Sequence, residues 1–347
     1  MKKVTEPEAT RRLNPTVQGC LLVTAFLYAA AVLNVIVPRL GYSVQGVAHF
    51  AVLTALTALA VTAYLQCVFC DPGRVPPGWQ PDAEQQAAAV LQVKRRGGGL
   101  RYCKKCAAYK PPRAHHCRRC GCCILRMDHH CTWTNNCIGH GNYRAFLLMC
   151  LHLAAACLHA LGLLLSMDAR LVQIALGWDE ASLLAAAAGG RGSGGSGSSG
   201  GGDADSAHLG AAQGEAAGLP SLATKTGWRG PLWLHATAQV LGTALGLPVA
   251  VGLLVLLIWN LYLAARNQTT IEYHEGVVAR HMAPRPGSAG SGGHPFDLGV
   301  HDNAAAVCGD SAACWLLPGR AAAQGDGLTF PSRWDAARPA GPGVAGT

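Results

Sequence analysis

The residues best placed to do chemistry are Asp128-His129-His130-Cys131. They lie in a segment, Cys103 to Cys137, that holds eight of the chain's 15 cysteines. Cys103-x2-Cys106 and Cys117-x2-Cys120 have the spacing that lets one turn present two thiolates to zinc. The register adds a sharper constraint. From Cys103, offsets of 3, 13 and 20 land on Cys106, His116 and Cys123, and from Cys117 they land on Cys120, His130 and Cys137. The pattern C-x2-C-x9-H-x6-C therefore occurs twice, interleaved and shifted by 14 residues. It predicts two closed Cys3His sites for two structural zinc ions. It also selects His116 over His115, Cys123 over Cys122 and His130 over His129. Cys131 and His129 are left without a metal. A thiol beside an imidazole, with a carboxylate beside that imidazole, is an arrangement that activates a cysteine nucleophile. Three readings of the segment remain open on these grounds: a catalytic centre, a structural zinc module that binds a partner, and a cysteine cluster without metal.

The elements that must hold this segment are apolar. Of 347 residues, 50% are hydrophobic and only 14% charged, with mean hydropathy +0.21. That charge content is well below the roughly 25% of soluble domains, which excludes an ordinary soluble globular protein. The odd cysteine count and its clustering also argue against a secreted disulfide scaffold. Val17–Val37, Val47–Phe69, Phe146–Ser166 and Ala236–Leu263 contain no Asp, Glu, Lys or Arg. About 20 apolar residues cross a bilayer core of roughly 30 Å, so four transmembrane helices are predicted. The expected fold is an all-α integral membrane protein with a cytosolic two-zinc cysteine-rich domain between the second and third helices. Four spans put both termini on one side, and that side carries 23 of the 28 Lys and Arg residues. The positive-inside rule makes it cytosolic, a reducing compartment in which thiolates favour metal over disulfide. The segment 70–145 has net charge +9, equal to the formal net charge of the whole chain. Such a face beside a membrane attracts anionic lipids or anionic cofactors rather than nucleic acid.

The resulting organisation is a cytosolic N-terminus (1–16), two helices with a short lumenal turn (17–69), and the cysteine-rich domain (70–145). A third helix (146–166), a lumenal Gly/Ser-rich loop (167–235) and a fourth helix (236–263) follow. A cytosolic C-terminal element (264–310) and an unstructured tail (311–347) complete the chain. Gly189–Gly202 is Gly and Ser with one Arg, a flexible-linker composition. Leu171–Ala188 is partly apolar but interrupted by Trp178, Asp179 and Glu180, and is expected at an interface or in a loop.

Taken together, these motifs resemble the DHHC-type protein S-acyltransferases, the integral-membrane palmitoyltransferases, and most of all their plant and green-algal members. Asp71-Pro72-Gly73 is similar to the family's DPG motif, and Thr269-Thr270-Ile271-Glu272 to its TTxE motif. Phe296-Asp297-Leu298-Gly299 with Asn303 is similar to its C-terminal amphipathic element, and Asn142 and Tyr143 also fit. Thr132 and Thr134 stand where the family usually has Pro and Val. The resemblance implies ping-pong acyl transfer from a long-chain acyl-CoA to cysteines of membrane-associated substrate proteins. Cys131 would be the acylated nucleophile, with His129 and Asp128 as its base and orienting carboxylate. Lys110, Arg113 and Arg126, with Arg118 and Arg119, are candidates for the CoA phosphates. Trp133 would lie near the thioester or at the membrane interface. Thr269, Thr270 and Glu272 would brace the catalytic domain against the fourth helix. Cys20, Cys67, Cys70, Cys150 and Cys157 are read as packing residues or acylated bystanders. Plant-like relatives point to endomembranes, the Golgi foremost. The competing functions are a catalytically inert zinc-bearing membrane scaffold and, further behind, a polytopic transporter with a zinc-stabilised loop.

Overall fold

The computed structural model describes residues 13–82, 101–176, 178, 228, 231–277, 293–309, 315–319 and 325–333. The Gly/Ser linker, the first 12 residues and most of the loop between the third and fourth helices lie outside the described residues. Among the described residues, four helices are long and apolar enough to cross a membrane. The first, α1, is α-helical over Pro15–Ala31 and continues as a π-helix over Val32–Leu40. The Asn14 side chain caps it by accepting a hydrogen bond from the Val17 amide. Pro38 lies in the π-helical stretch and has no N–H to give, so a regular ladder cannot continue through it. The others are α2 (Val44–Phe69), α3 (Tyr143–Ala175) and α4 (Leu232–Ala264). Val240, Val255 and Ile258 of α4 are each 64% exposed. Apolar side chains facing outward are what a lipid solvent requires.

Two expectations need correction. The protein is helical in its spans but not throughout. The cysteine-rich segment folds as three two-stranded antiparallel hairpins, β1 (Tyr102–Cys103) with β2 (Ala108–Tyr109), β3 (His115–Cys117) with β4 (Cys122–Ile124), and β5 (His129–Cys131) with β6 (Asn136–Ile138). Strands of two or three residues are too short to carry an apolar alternation that would announce them in the sequence. The third helix also runs past Ser166 to Ala175, through Asp168 and Arg170, which a charge-free window excludes. Asp168 is accommodated because its carboxylate accepts hydrogen bonds from Gln239 Nε2 (2.6 Å) and Thr243 Oγ1 (2.8 Å).

The chain forms two compact units. One comprises residues 26–52 and 158–247. It is held by the Asp168 bonds, by Asn34 Nδ2 donating to the His235 carbonyl, and by close packing at Gly242-x3-Gly246. A Cβ on Gly242 would stand 3.1 Å from Leu164 and 3.3 Å from Ala30, so only a small residue lets these helices approach. The other comprises residues 1–25, 53–157 and 248–347 and contains all the motifs above. Its described residues also include two shorter helices, α5 (Thr270–His274) and α6 (Val300–Cys308). In this second unit one buried apolar cluster joins Val17, Tyr64, Val68, Phe146, Leu147, Leu257 and Val307.

Candidate active site and metal centres

The metal ligands emerge from hairpin geometry. His116 pairs in register with Cys123, and His130 with Cys137, so each hairpin contributes one cross-strand His/Cys pair. The two CxxC turns supply the other thiols. The structure gathers Cys103, Cys106, His116 and Cys123 in one group, and Cys117, Cys120, His130 and Cys137 in another, as the repeat predicts. Ligands of a tetrahedral ion bound at 2.0–2.3 Å sit roughly 3.5–3.8 Å from one another. In the first group His116 Nδ1 lies 3.5, 3.2 and 3.9 Å from the sulfurs of Cys103, Cys106 and Cys123. In the second, His130 Nδ1 lies 3.5, 3.5 and 3.6 Å from those of Cys117, Cys120 and Cys137. Three thiolates and an imidazole at tetrahedral edge distances suit zinc in both groups.

The third hairpin turns the same architecture to another use. Ala107, Gly121 and Asn135, spaced 14 residues apart, are all in the left-handed region, with φ of 50°, 71° and 48°. Cys103, Cys117 and Cys131 occupy equivalent places four residues before them. Cys131 is thus the first thiol of a third knuckle-shaped turn whose second thiol position is Thr134. The register read from the ligands counts only two copies, because the third turn has Thr134 where the other two have their second cysteine. The visible signal was the repeated His-His-Cys at 115–117 and 129–131.

Strand alternation then separates the roles of neighbouring residues. Side chains at i and i+2 share a face, so His129 and Cys131 point one way while His130 points to the metal group. His129 Nδ1 and Asp128 Oδ2 are 2.6 Å apart. Asp128 is 1% exposed. Its carboxylate also accepts hydrogen bonds from the Thr270 amide (2.8 Å, to Oδ1) and hydroxyl (2.9 Å, to Oδ2). Burial by itself would lower the His129 ring, but the Asp128 carboxylate and the Cys131 sulfur outweigh it and raise it to about 9. Burial pushes the Cys131 thiol up, yet the His129 ring as hydrogen-bond partner, with Thr134, brings it below an ordinary thiol. Each group thus favours the charged form of the other, the direction that a thiolate–imidazolium pair needs. His129→Ala is expected to slow alkylation of Cys131 by a thiol reagent at neutral pH while both metal equivalents stay bound. Metal content by mass spectrometry checks this, and loss of one equivalent would contradict the strand geometry.

The remaining motifs fix this hairpin in place. Asn136 Nδ2 donates to the carbonyls of Cys67 (3.0 Å) and Cys70 (2.9 Å), covering otherwise orphaned acceptors at the end of α2. Asp71 Oδ1 accepts from the Gly73 and Arg74 amides, and the turn so formed bonds to the cysteine-rich segment through Gly73 O to Leu125 N and Pro72 O to Gly141 N. A Cβ on Gly141 would overlap the Asp71 carbonyl, so glycine is required there. Thr269 and Glu272 form a capping box at the start of α5. Asn303, fully buried, donates to the Ala265 carbonyl and to Asp297.

The candidate CoA contacts divide. Lys110 is half-buried and Trp133 is 63% exposed, with its carbonyl accepting from the Tyr64 hydroxyl at 2.7 Å. Arg113 and Arg126 do not fit the expectation. Both are 5% exposed. Arg113 makes a two-pronged pair with Glu272 (2.7 and 2.9 Å) and donates to Asn267. Arg126 donates to the same Asn267 side chain and stacks over Tyr143. Charge alone could not distinguish these buried braces from free phosphate ligands. Burial by itself would raise Glu272, but the Arg113 charge holds it well below the usual carboxylate range.

Comparison with known proteins places this geometry in context. The family model for DHHC palmitoyltransferases matches residues 97–277. The chain is 35% identical to probable protein S-acyltransferase 16 of Arabidopsis thaliana, over 91% of each chain. It is 29% identical to probable protein S-acyltransferase 15 of the same plant, over 81% of this chain and 87% of that one. It is 39% identical to human palmitoyltransferase ZDHHC3 over 147 residues, 41% of this chain and 48% of that one.

Proposed function

The chain belongs to the DHHC palmitoyltransferase family, and on that premise we propose that it is a protein S-acyltransferase with Cys131 as the nucleophile. The observation that carries the assignment is the Asp128–His129–Cys131 chain, with Asp128 held by Thr270. The Cys131 thiolate attacks the thioester carbonyl of a long-chain acyl-CoA. CoA leaves as its thiol, taking the proton that His129 holds. A cysteine of a membrane-associated protein then gives its proton to His129 and displaces the acyl group from Cys131. Two zinc ions, held by the Cys3His groups, would supply folding energy rather than chemistry.

The surroundings of Cys131 support a long-chain donor. Its thiol belongs to the apolar cluster formed with Val17, Tyr64, Phe146, Leu147 and Leu257. Each buried methylene of an acyl chain adds about 0.8 kcal/mol, so a long chain adds on the order of 10 kcal/mol. Lys110 and Trp133, with the exposed Arg118 and Arg119, remain the residues to meet CoA. The catalytic domain faces the cytosol by the 23-to-5 division of basic residues, and the protein resides in endomembranes, with the Golgi the leading site. We keep the order of segments read from the sequence, with the helices at Pro15–Leu40, Val44–Phe69, Tyr143–Ala175 and Leu232–Ala264.

Two measurements test this reading. Purified protein incubated with labelled palmitoyl-CoA should carry hydroxylamine-sensitive label that maps to Cys131. Label absent from wild type would favour the inert scaffold. Protease added to sealed microsomes should cut the cysteine-rich segment and spare a tag inserted in Gly189–Gly202. Digestion of that tag would reverse the topology.

A further inference from the structure

The family match ends at residue 277, yet two later segments, 315–319 and 325–333, pack onto the unit that holds Cys131. Phe330 places its ring centroid 4.8 Å from the Arg113 guanidinium carbon, and Phe296 places its own at 4.4 Å. Phe330 also meets the His140 ring edge-on at 6.0 Å. His140 Nε2 donates to the Gly325 carbonyl at 3.2 Å. Gly327 has φ +74°, and a Cβ there would come within 2.7 Å of the His140 ring, so the backbone lies directly on that imidazole. The Arg333 amide donates to the Pro295 carbonyl, and the buried Arg144 side chain donates to the Leu317 carbonyl at 3.0 Å.

Resting on the assignment of Cys131 as nucleophile, we propose that these tail segments form a strap in which Phe330 is a positioning residue for acyl transfer. The path it acts through is continuous. Phe330 covers the Arg113 guanidinium, and Arg113 grips both oxygens of Glu272. Glu272 caps Thr269 at the start of α5, and the next residue, Thr270, gives Asp128 two hydrogen bonds. Asp128 orients His129 beside Cys131. The aromatic ring has a specific task on this path. Guanidinium N–H groups donate in the ion's plane, here to Glu272 and Asn267. Its faces have no donor, and a buried cation face is best covered by a π-system. Phe330 is only half-buried, and Phe296 keeps its own place 4.4 Å from the guanidinium carbon, so removing Phe330 takes one of the two ring contacts from Arg113 without hollowing a core.

The test uses the full-length protein and reads the single-turnover rate of acyl-enzyme formation, the KM for palmitoyl-CoA, metal content and melting temperature. Phe330→Ala and Phe330→Leu should each slow acylation about fivefold, the scale of one lost cation–π contact. The KM and the two metal ions should not change, the melting temperature should fall by no more than a few degrees, and Phe330→Tyr should restore the wild-type rate. In a Thr270→Val background, Phe330→Ala should slow the reaction no further, because both changes act on one path to Asp128. Additive effects, a Leu variant as fast as the Tyr variant, an Ala variant as fast as wild type, or loss of metal with the rate would each overturn the proposal. Absence of any label on Cys131 in wild type would instead overturn the assignment of the nucleophile.

Discussion

Cys131→Ser should retain two metal ions per chain and the wild-type melting temperature, yet form no acyl-enzyme. Cys123→Ser and Cys137→Ser should do the opposite, each losing a metal ion and unfolding at lower temperature. All three are buried thiols within one short segment, and only the strand register separates them. Cys123 and Cys137 are the cross-strand partners of His116 and His130 and complete the two metal groups. Removing either leaves three ligands and forfeits part of a binding energy of about 10 kcal/mol or more, which is also folding energy. Cys131 faces the other way and touches no metal group. Cys122 is the control. It pairs with Cys117 across the second hairpin, and burial pushes its thiol up to about 11. Cys122→Ser should change neither metal content nor label. Metal per protein by mass spectrometry, melting in detergent and hydroxylamine-sensitive label on the four variants decide the matter. Metal loss from Cys131→Ser, or a metal-replete Cys122→Ser that takes no label, would refute the register.

These contrasts were legible in the sequence because metal ligation is a spacing rule. Ligands within one repeat are bound by offsets of 3, 13 and 20, and the structure realises both groups without exception. The four spans were legible for a similar reason, since an uncharged run of sufficient length has few alternatives. What escaped was set by partners distant in the chain. Asp168 looked like the end of a helix until Gln239 and Thr243 were found bonded to it. Arg113 and Arg126 looked like phosphate ligands until Glu272 and Asn267, more than 130 positions away, closed around them. The tail looked unstructured because its composition is rich in Gly, Ala and Pro. Its few anchoring residues, Phe330 and Gly327 among them, have no periodicity to reveal them.

Glu272→Gln should cost about 3–5 kcal/mol of stability and most of the acyl-transfer activity, although Glu272 has no role in the chemistry. The Glu272 and Arg113 side chains are 6% and 2% exposed. Breaking a buried pair by neutralising one partner strands the other charge in a low-dielectric site, and that is the source of the cost. Activity falls with it because the same carboxylate caps Thr269 and so steadies the Thr270 bonds to Asp128. Replacing both partners, Glu272→Gln with Arg113→Met, should recover much of the stability, since neither charge of the pair is then left buried without the other. The pH dependence has a definite sign. The folded-state pKa of Glu272 lies well below its ordinary value of 4.5, so its contribution is fully present above that value and is lost as the pH falls towards the folded pKa. The stability gap between wild type and Glu272→Gln, measured by chemical denaturation in detergent, should be constant near neutrality and narrow below pH 4.5. A gap that stayed constant to lower pH would mean that the carboxylate charge does not hold this brace together. A single variant as stable as wild type would remove Arg113–Glu272 from the structural path to Asp128.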